Sequence, residues 1–189
     1  MIKQVCVYCS SSNAVAQSFF VAAEKLGELL AQQDYTLVYG GGHVGLMGAV
    51  ARAVHAHGGK VIGVIPEALR AKEVAYLAAD ELIITRDLRE RKAAMQARAQ
   101  AFITLPGGFG TLEEVMEIIT LKQLGFHSAP IVILNTENYY QPLLDFFEHV
   151  FRHRFAKPEH RELYHVVPTP EEALARLKDY QPVVVPDKW

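Results

Sequence analysis

Short β-branched apolar runs alternate with longer amphipathic stretches along the whole 189-residue chain. No other feature narrows the possible architectures as far. Residues 5–8, 36–39, 60–65, 81–85, 101–105 and 130–134 read as strands, with a short last strand at 165–167. Between them run helical patterns. One passes through Phe19, Leu26, Leu29 and Leu30, and an Ala/Val-rich one reaches about His57 and stops at Gly58-Gly59. A third carries Arg91, Met95 and Arg98 behind Asp87 as N-cap, and others cover about 112–124, 140–155 and 171–178. Strands that are apolar without interruption are covered on both faces, and one helix per strand supplies the covers. The expected fold is α/β: a doubly wound parallel sheet with helices on both faces, Rossmann-like. Residues 1–180 are expected to form one nucleotide-binding domain, and 181–189, with Pro182 and Pro186, an extended C-terminal tail. The 66–79 stretch is the longest without a clear pattern.

Composition removes several function classes. Half the residues are apolar and 21% are charged, which excludes a disordered or collagen-like chain. A formal charge of −2 argues against a nucleic-acid partner, where excess Lys and Arg supply affinity. No apolar run approaches the roughly 18–20 residues of a membrane span, and the N-terminus lacks a signal peptide's apolar region. Two cysteines make no disulfide framework, so the expected location is cytoplasmic. Cys6-x-x-Cys9 resembles a redox pair, but residues three apart on a strand point to opposite faces, which leaves core packing for Cys6. His149 and His153 share a helical face without a third ligand at suitable spacing, so no metal is expected. The 86–98 segment is basic but interrupted by Asp87 and Glu90, the pattern of a solvated helix. Met47 and Met95 read as core residues, with Met95 also a candidate to face a base, and Tyr139 and Tyr140 as anchors for the helix that follows.

Two glycine-rich loops follow strands. Gly40-x-Gly42-x-x-Gly45 matches the dinucleotide fingerprint, with acidic Glu67 further on, but sits on the second strand rather than the first. Ligand contact and simple close packing both remain open for it, with an NAD-dependent oxidoreductase as the minor reading. Gly107, Gly108 and Gly110 clear side chains from backbone N–H groups, and Thr111 adds a hydroxyl where a helix begins, a combination suited to phosphate. The Lys of a Walker loop is missing, so a nucleoside triphosphatase is excluded. Glu113 and Glu114 follow in the expected first turn. They either complement the helix dipole or, beside a phosphate cradle, serve a sugar or a catalytic step.

Pro106-Gly107-Gly108-Phe109-Gly110-Thr111-Leu112-Glu113-Glu114 resembles the Pro-Gly-Gly-x-Gly-Thr-x-x-Glu signature of the Lonely Guy (LOG) family, cytokinin riboside 5′-monophosphate phosphoribohydrolases. The 40–48 glycine segment, Arg91-Lys92-x-x-Met95, and Gln123-Leu124-Gly125 with Pro130 are similar to further family motifs in the same order. The resemblance runs from about Val5 to Phe155. It implies hydrolysis of the N-glycosidic bond of purine nucleoside 5′-monophosphates, AMP or N6-substituted analogues, without a cofactor. It implies Arg91 and Glu114 as the catalytic pair. Glu73, Lys92, Met95, Gly107, Gly108, Phe109, Gly110, Thr111, Leu112, Glu113 and Thr120 are implied as substrate contacts. A homo-oligomer, at least a dimer, is also implied, in keeping with the apolar surface of Val115, Met116, Ile118, Ile119 and Leu121. Two departures stand out. Leu88-Arg89 replaces the usual Met-His, and Leu121 replaces a Trp. The other function class is a non-catalytic nucleotide-binding protein on the same scaffold, which has little use for Glu114.

Overall fold

The computed structural model describes residues 2–70, 72 and 74–182. In chain order its elements are β1 (Gln4–Tyr8), α1 (Gln17–Gln32), β2 (Thr36–Tyr39), α2 (Gly45–Ala56), β3 (Val61–Pro66), α3 (Glu67–Arg70), β4 (Glu81–Thr85) and α4 (Leu88–Arg98). Then follow β5 (Ala101–Thr104), α5 (Phe109–Gln123), β6 (Ile131–Leu134), α6 (Gln141–Arg152), β7 (His165–Val167) and α7 (Pro170–Lys178). Short 3-10 segments at Thr136–Asn138 and Pro158–Leu163 flank α6. The seven strands form one sheet in the order β4-β3-β2-β1-β5-β6-β7, every pairing parallel. The doubly wound expectation holds. Of the expected tail, residues 183–189 lie outside the described residues.

The period of two along each strand divides the interior into two cores. Val5 and Val7 of β1 join Leu37, Tyr39, Ile103 and Val132 beneath α1, α2 and α7. Cys6 and Tyr8 point the other way, with Val38, Ile62, Phe102 and Ile131, against Met95 of α4 and Val115 and Ile118 of α5. Each such large side chain contributes about 1.5–3 kcal/mol when fully buried. Both faces are therefore in use, which is why the strands read as unbroken apolar runs. Cys6 and Cys9 fall in opposite cores and are both free thiols, as the strand geometry predicts.

Local signals account for the ends of several elements. The Asp87 carboxylate caps α4 by accepting from the N–H groups of Arg89 and Glu90 at 2.9 and 2.8 Å. Thr169 caps α7 by accepting from Glu172 N–H, with Pro170 at the first helical position. The expected helix at 140–155 stops at Arg152, with Arg154 at φ 60°, so its last turn is closed by left-handed backbone. The larger difference is at α5, which begins at Phe109 rather than about Leu112. Glu113 and Glu114 therefore lie in its second turn, where the helix-dipole explanation for them weakens. No helix among the described residues is long and apolar enough to cross a membrane.

Candidate active site

The strands run parallel, but the direction in which the chain adds them to the sheet reverses between β1 and β5, and the crevice beyond the carboxyl ends of those strands is where such sheets bind ligands. A cavity of about 530 Å³ opens there, within the range of small-molecule sites. Its floor is Cys9 and Ser10–Ser12, directly after β1. Gly40, Gly42 and Met47 enter from the β2–α2 side, and Ile65, Leu69 and Val74 from β3 and the chain beyond it. From the β5 side come Gly108, Phe109, Gly110, Thr111 and Glu114. Both glycine loops meet in one cavity.

Their helix ends are not equivalent. At the start of α2, Gly45 N–H donates to the Asn13 side chain at 2.8 Å and Met47 N–H to the Ser10 carbonyl at 3.3 Å. Those donors are spent within the chain. The glycines there serve close packing: a Cβ on Gly45, where φ is +59°, would lie 2.4 Å from the Ser11 carbonyl carbon. Glu67, the acidic residue of the fingerprint reading, is exposed and paired with Arg70. This arrangement argues against pyrophosphate on the first loop. At the start of α5 the N-cap is Gly108, without a side chain, and no side-chain cap is present. The N–H groups of Phe109, Gly110 and Thr111 have no intrahelical acceptor at those positions. That end is open to an anion.

Arg91 spans the crevice. Its Nε donates to the Val64 carbonyl of β3 at 3.1 Å, and its Nη1 donates to Glu114 Oε1 at 2.7 Å. Between those anchors Nη2 passes over Gly40, where a Cβ would stand 2.1 Å away, so only glycine leaves the arginine its path. The pair is well shielded, with side-chain exposures of 13% for Arg91 and 8% for Glu114. Burial pushes the Glu114 carboxyl above its ordinary range, and Arg91 opposes this without cancelling it. Desolvation is thus the larger effect on Glu114 and the neighbouring guanidinium the smaller. On the outer flank, Lys92 is held by the carboxylates of Glu113 and Glu117, the latter at 2.8 Å. Burial alone would lower its amine, and the two carboxylates more than reverse that, to a net rise.

Behind the second loop two tyrosines act as props. Tyr139 donates its hydroxyl to the Gly107 carbonyl and Tyr140 to the Leu105 carbonyl, each at 2.8 Å. Gly107 is tightly constrained, since a Cβ there would lie 2.2 Å from Thr111 Oγ1.

Of the residues singled out from sequence, Arg91, Gly108, Phe109, Gly110, Thr111 and Glu114 converge on the cavity. Phe109 is 92% exposed at its rim. Others lie elsewhere. Gly107 is buried behind the loop, Leu112 packs on the core, and Lys92 and Glu113 pair on the outer flank. Met95 is wholly buried in the core against β1 and does not line the cavity. Thr120 donates to the Met116 carbonyl and lines a separate groove between α5 and α6. Glu73 lies outside the described residues. Sequence reasoning missed Cys9, Ser10–Ser12, Ile65, Leu69 and Val74, and it treated Met47 as core alone. The signal available for the serines was their place directly after a strand flanking the reversal.

The family model described as "Possible lysine decarboxylase" matches residues 47–177. The probable cytokinin riboside 5′-monophosphate phosphoribohydrolase LOGL2 of Oryza sativa subsp. japonica is 43% identical, the match covering 99% of this chain and 78% of that protein. The cytokinin riboside 5′-monophosphate phosphoribohydrolase LOG5 of Arabidopsis thaliana is 42% identical over 96% and 79% of the two chains. Among solved structures, the molybdenum cofactor carrier protein of Chlamydomonas reinhardtii shares the fold, with a TM-score of 0.70, 23% identity and coverage of 94% and 97%. The molybdenum cofactor binding protein of Rippkaea orientalis does so at a TM-score of 0.73, 21% identity and coverage of 94% and 96%. Sharing over two fifths of its residues, almost end to end, with named phosphoribohydrolases, the chain belongs to the LOG family.

Proposed function

We propose that this chain hydrolyses the N-glycosidic bond of purine nucleoside 5′-monophosphates, AMP and its N6-substituted analogues, to free base and ribose 5-phosphate. The observation that carries the reading is a shielded carboxylate–guanidinium pair beside an uncapped helix start in one cavity. The open N–H groups of α5 suit the 5′-phosphate. Glu114, one and a half turns into the same helix, then falls beside the ribose. The apolar side chains of Met47, Leu69 and Val74 suit the base. From β5 to β3 is three strand spacings, about 14 Å, which suits the length of the nucleotide.

Cleavage builds positive charge on the sugar as the base departs with the bonding electrons. The Glu114 carboxylate stabilises that charge and orients the water that completes hydrolysis, the water's proton passing to the carboxylate or to the departing base. Arg91 holds the carboxylate in place from the side away from the phosphate loop. Being charged at all accessible pH values, it serves as an orienting cation rather than a proton donor. A homo-oligomer, at least a dimer, belongs to the same reading. Met116, 39% exposed, and Thr120 border a groove with Phe147 and Phe151 that suits burial against a second copy. Two free thiols fit a cytoplasmic location.

The test compares base release from AMP and adenosine under identical conditions, with L-lysine as a further substrate. Charge-assisted hydrogen bonds contribute about 1.5–3 kcal/mol each, so two or three lost with the phosphate should cost at least a hundredfold in kcat/KM, by an order-of-magnitude argument. A ratio near one would reduce the α5 start to a structural turn and remove the main support for a nucleotide hydrolase.

A further inference from the structure

A hydrogen-bonded trio lies outside the cavity and takes no part in the chemistry above. His55, in the last turn of α2, has Nδ1 2.9 Å from the Tyr76 hydroxyl and Nε2 3.0 Å from Asp80 Oδ2. The same carboxylate oxygen accepts from Val61 N–H at 2.8 Å. The attraction of His55, then the Val61 amide, holds the Asp80 carboxyl below its ordinary range, so it is ionised and can only accept. Nε2 therefore carries a proton and donates to Asp80, and in the neutral imidazole Nδ1 accepts from the Tyr76 hydroxyl. The His55 and Tyr76 rings also face each other at 5.6 Å. One imidazole thus ties down both ends of the turn from Tyr76 to Asp80.

What that turn holds is the cavity wall. Tyr76 N–H donates to the Gly41 carbonyl at 2.8 Å, His43 N–H donates to the Val74 carbonyl at 2.9 Å, and Ala75 bridges to Gly42 between them. The 74–76 strip is therefore laced along its backbone to the first glycine loop and bolted by its side chains to α2. Val74 and Gly42 both line the cavity, whereas His55, Tyr76 and Asp80 do not. This explains what the first glycine loop does: its helix start is closed to anions, but its free edge carries the wall on the base side.

We infer that Tyr76, His55 and Asp80 are positioning residues that hold the Val74 wall and the 40–43 loop in register against the base, setting affinity for the base without touching substrate. The inference rests on the phosphoribohydrolase reading for the identity of the bound group. Its signature is selective. Loosening the wall weakens a ligand that has a base and leaves alone one that has only the sugar phosphate.

The experiment uses the full chain with Y76F, H55A and D80N, measuring kcat and KM for AMP, the inhibition constant of ribose 5-phosphate, and hydrogen exchange at the Tyr76 and His43 amides. The expected result is KM for AMP raised about five- to tenfold, the effect of one lost hydrogen bond. Turnover should stay near wild type, the ribose 5-phosphate constant should be unchanged, and exchange at both amides should be faster. Unchanged KM, a parallel weakening of AMP and ribose 5-phosphate, or unaltered exchange in Y76F, which removes a single oxygen, would each overturn the inference. If the wild-type chain releases no base from AMP, the functional reading fails separately. Calorimetric dissociation constants of AMP and ribose 5-phosphate then replace KM and the inhibition constant in deciding the inference.

Discussion

Glu114→Gln separates charge from shape at the centre of the cavity. The amide keeps an oxygen that can accept from Arg91 Nη1, now 2.7 Å from Oε1, and removes the negative charge. A full charge about 4 Å from the developing sugar cation, at an effective dielectric of about 20, is worth about 4 kcal/mol. Arg91, roughly 3 Å further back, opposes it with about 2 kcal/mol at the same dielectric. Arg91 is present in enzyme and variant alike, so the loss in the barrier is that of the glutamate charge, about 4 kcal/mol, or roughly a thousandfold in kcat. Folding should hardly change. Burial disfavours the ionised carboxyl, so removing its charge offsets much of the lost ion pair. Chromatographic base release gives turnover, thermal unfolding gives stability, and titration with ribose 5-phosphate checks that the cavity still binds. Turnover within about threefold of wild type, with Tm and binding intact, would refute the reasoning and leave Glu114 as a packing residue of α5.

The pH dependence follows from the same burial. If Glu114 acts ionised, the acid limb of kcat/KM, which reports the free enzyme, lies above the range of an exposed glutamate, and E114Q lacks that limb. Stability runs in the opposite direction. The folded state keeps a proton that the unfolded chain has already lost, so this group's contribution is present below its unfolded pKa and fades as pH rises through the folded value. Urea unfolding of wild type against E114Q across that window checks the sign. The glycine loop offers a matched pair. Gly107→Ala drives a methyl against Thr111 and should cost about 1–3 kcal/mol of stability. Gly110→Ala meets nothing within 4 Å. It should gain up to about 1 kcal/mol in helix propensity while raising KM for AMP by crowding the rim. Calorimetric Tm values beside KM distinguish the two.

Strand positions were legible in the sequence to within about a residue because the five inner strands are buried on both faces, so apolarity alone marks them. The start of α5 was not. Gly110 carries poor helix propensity, Gly108 is the extended N-cap before it, and the close fit of Gly107 against Thr111 is a packing term with no one-dimensional signature. That shift of three residues is what moves Glu114 out of the first turn and toward the pairing with Arg91. The pairing itself joins elements 23 residues apart in sequence, and only the motif resemblance pointed to it. Ser10–Ser12 went unnoticed because strand order, which brings β1 beside β5, is a property of long-range pairing. The imidazole linking Tyr76 and Asp80 was invisible for the same reason.

The two tyrosine props have a consequence for what the second loop can hold. Leu105 and Gly107 give their carbonyl oxygens to Tyr140 and Tyr139, Pro106 gives its own to Ser10 N–H, and Gly108 gives its to Leu112 N–H. Four successive oxygens are thus occupied, each by a donor supplied from within the protein. A bare turn of this length would present acceptors and donors alike, and its sign toward a visitor would depend on how the peptide planes happened to lie. Here the planes are pinned by their oxygen ends, which leaves the N–H groups at the start of α5 as the donors without an intrahelical partner. In the proposed reading, charge selectivity at this loop is therefore assembled in part by two aromatic hydroxyls that stand behind it.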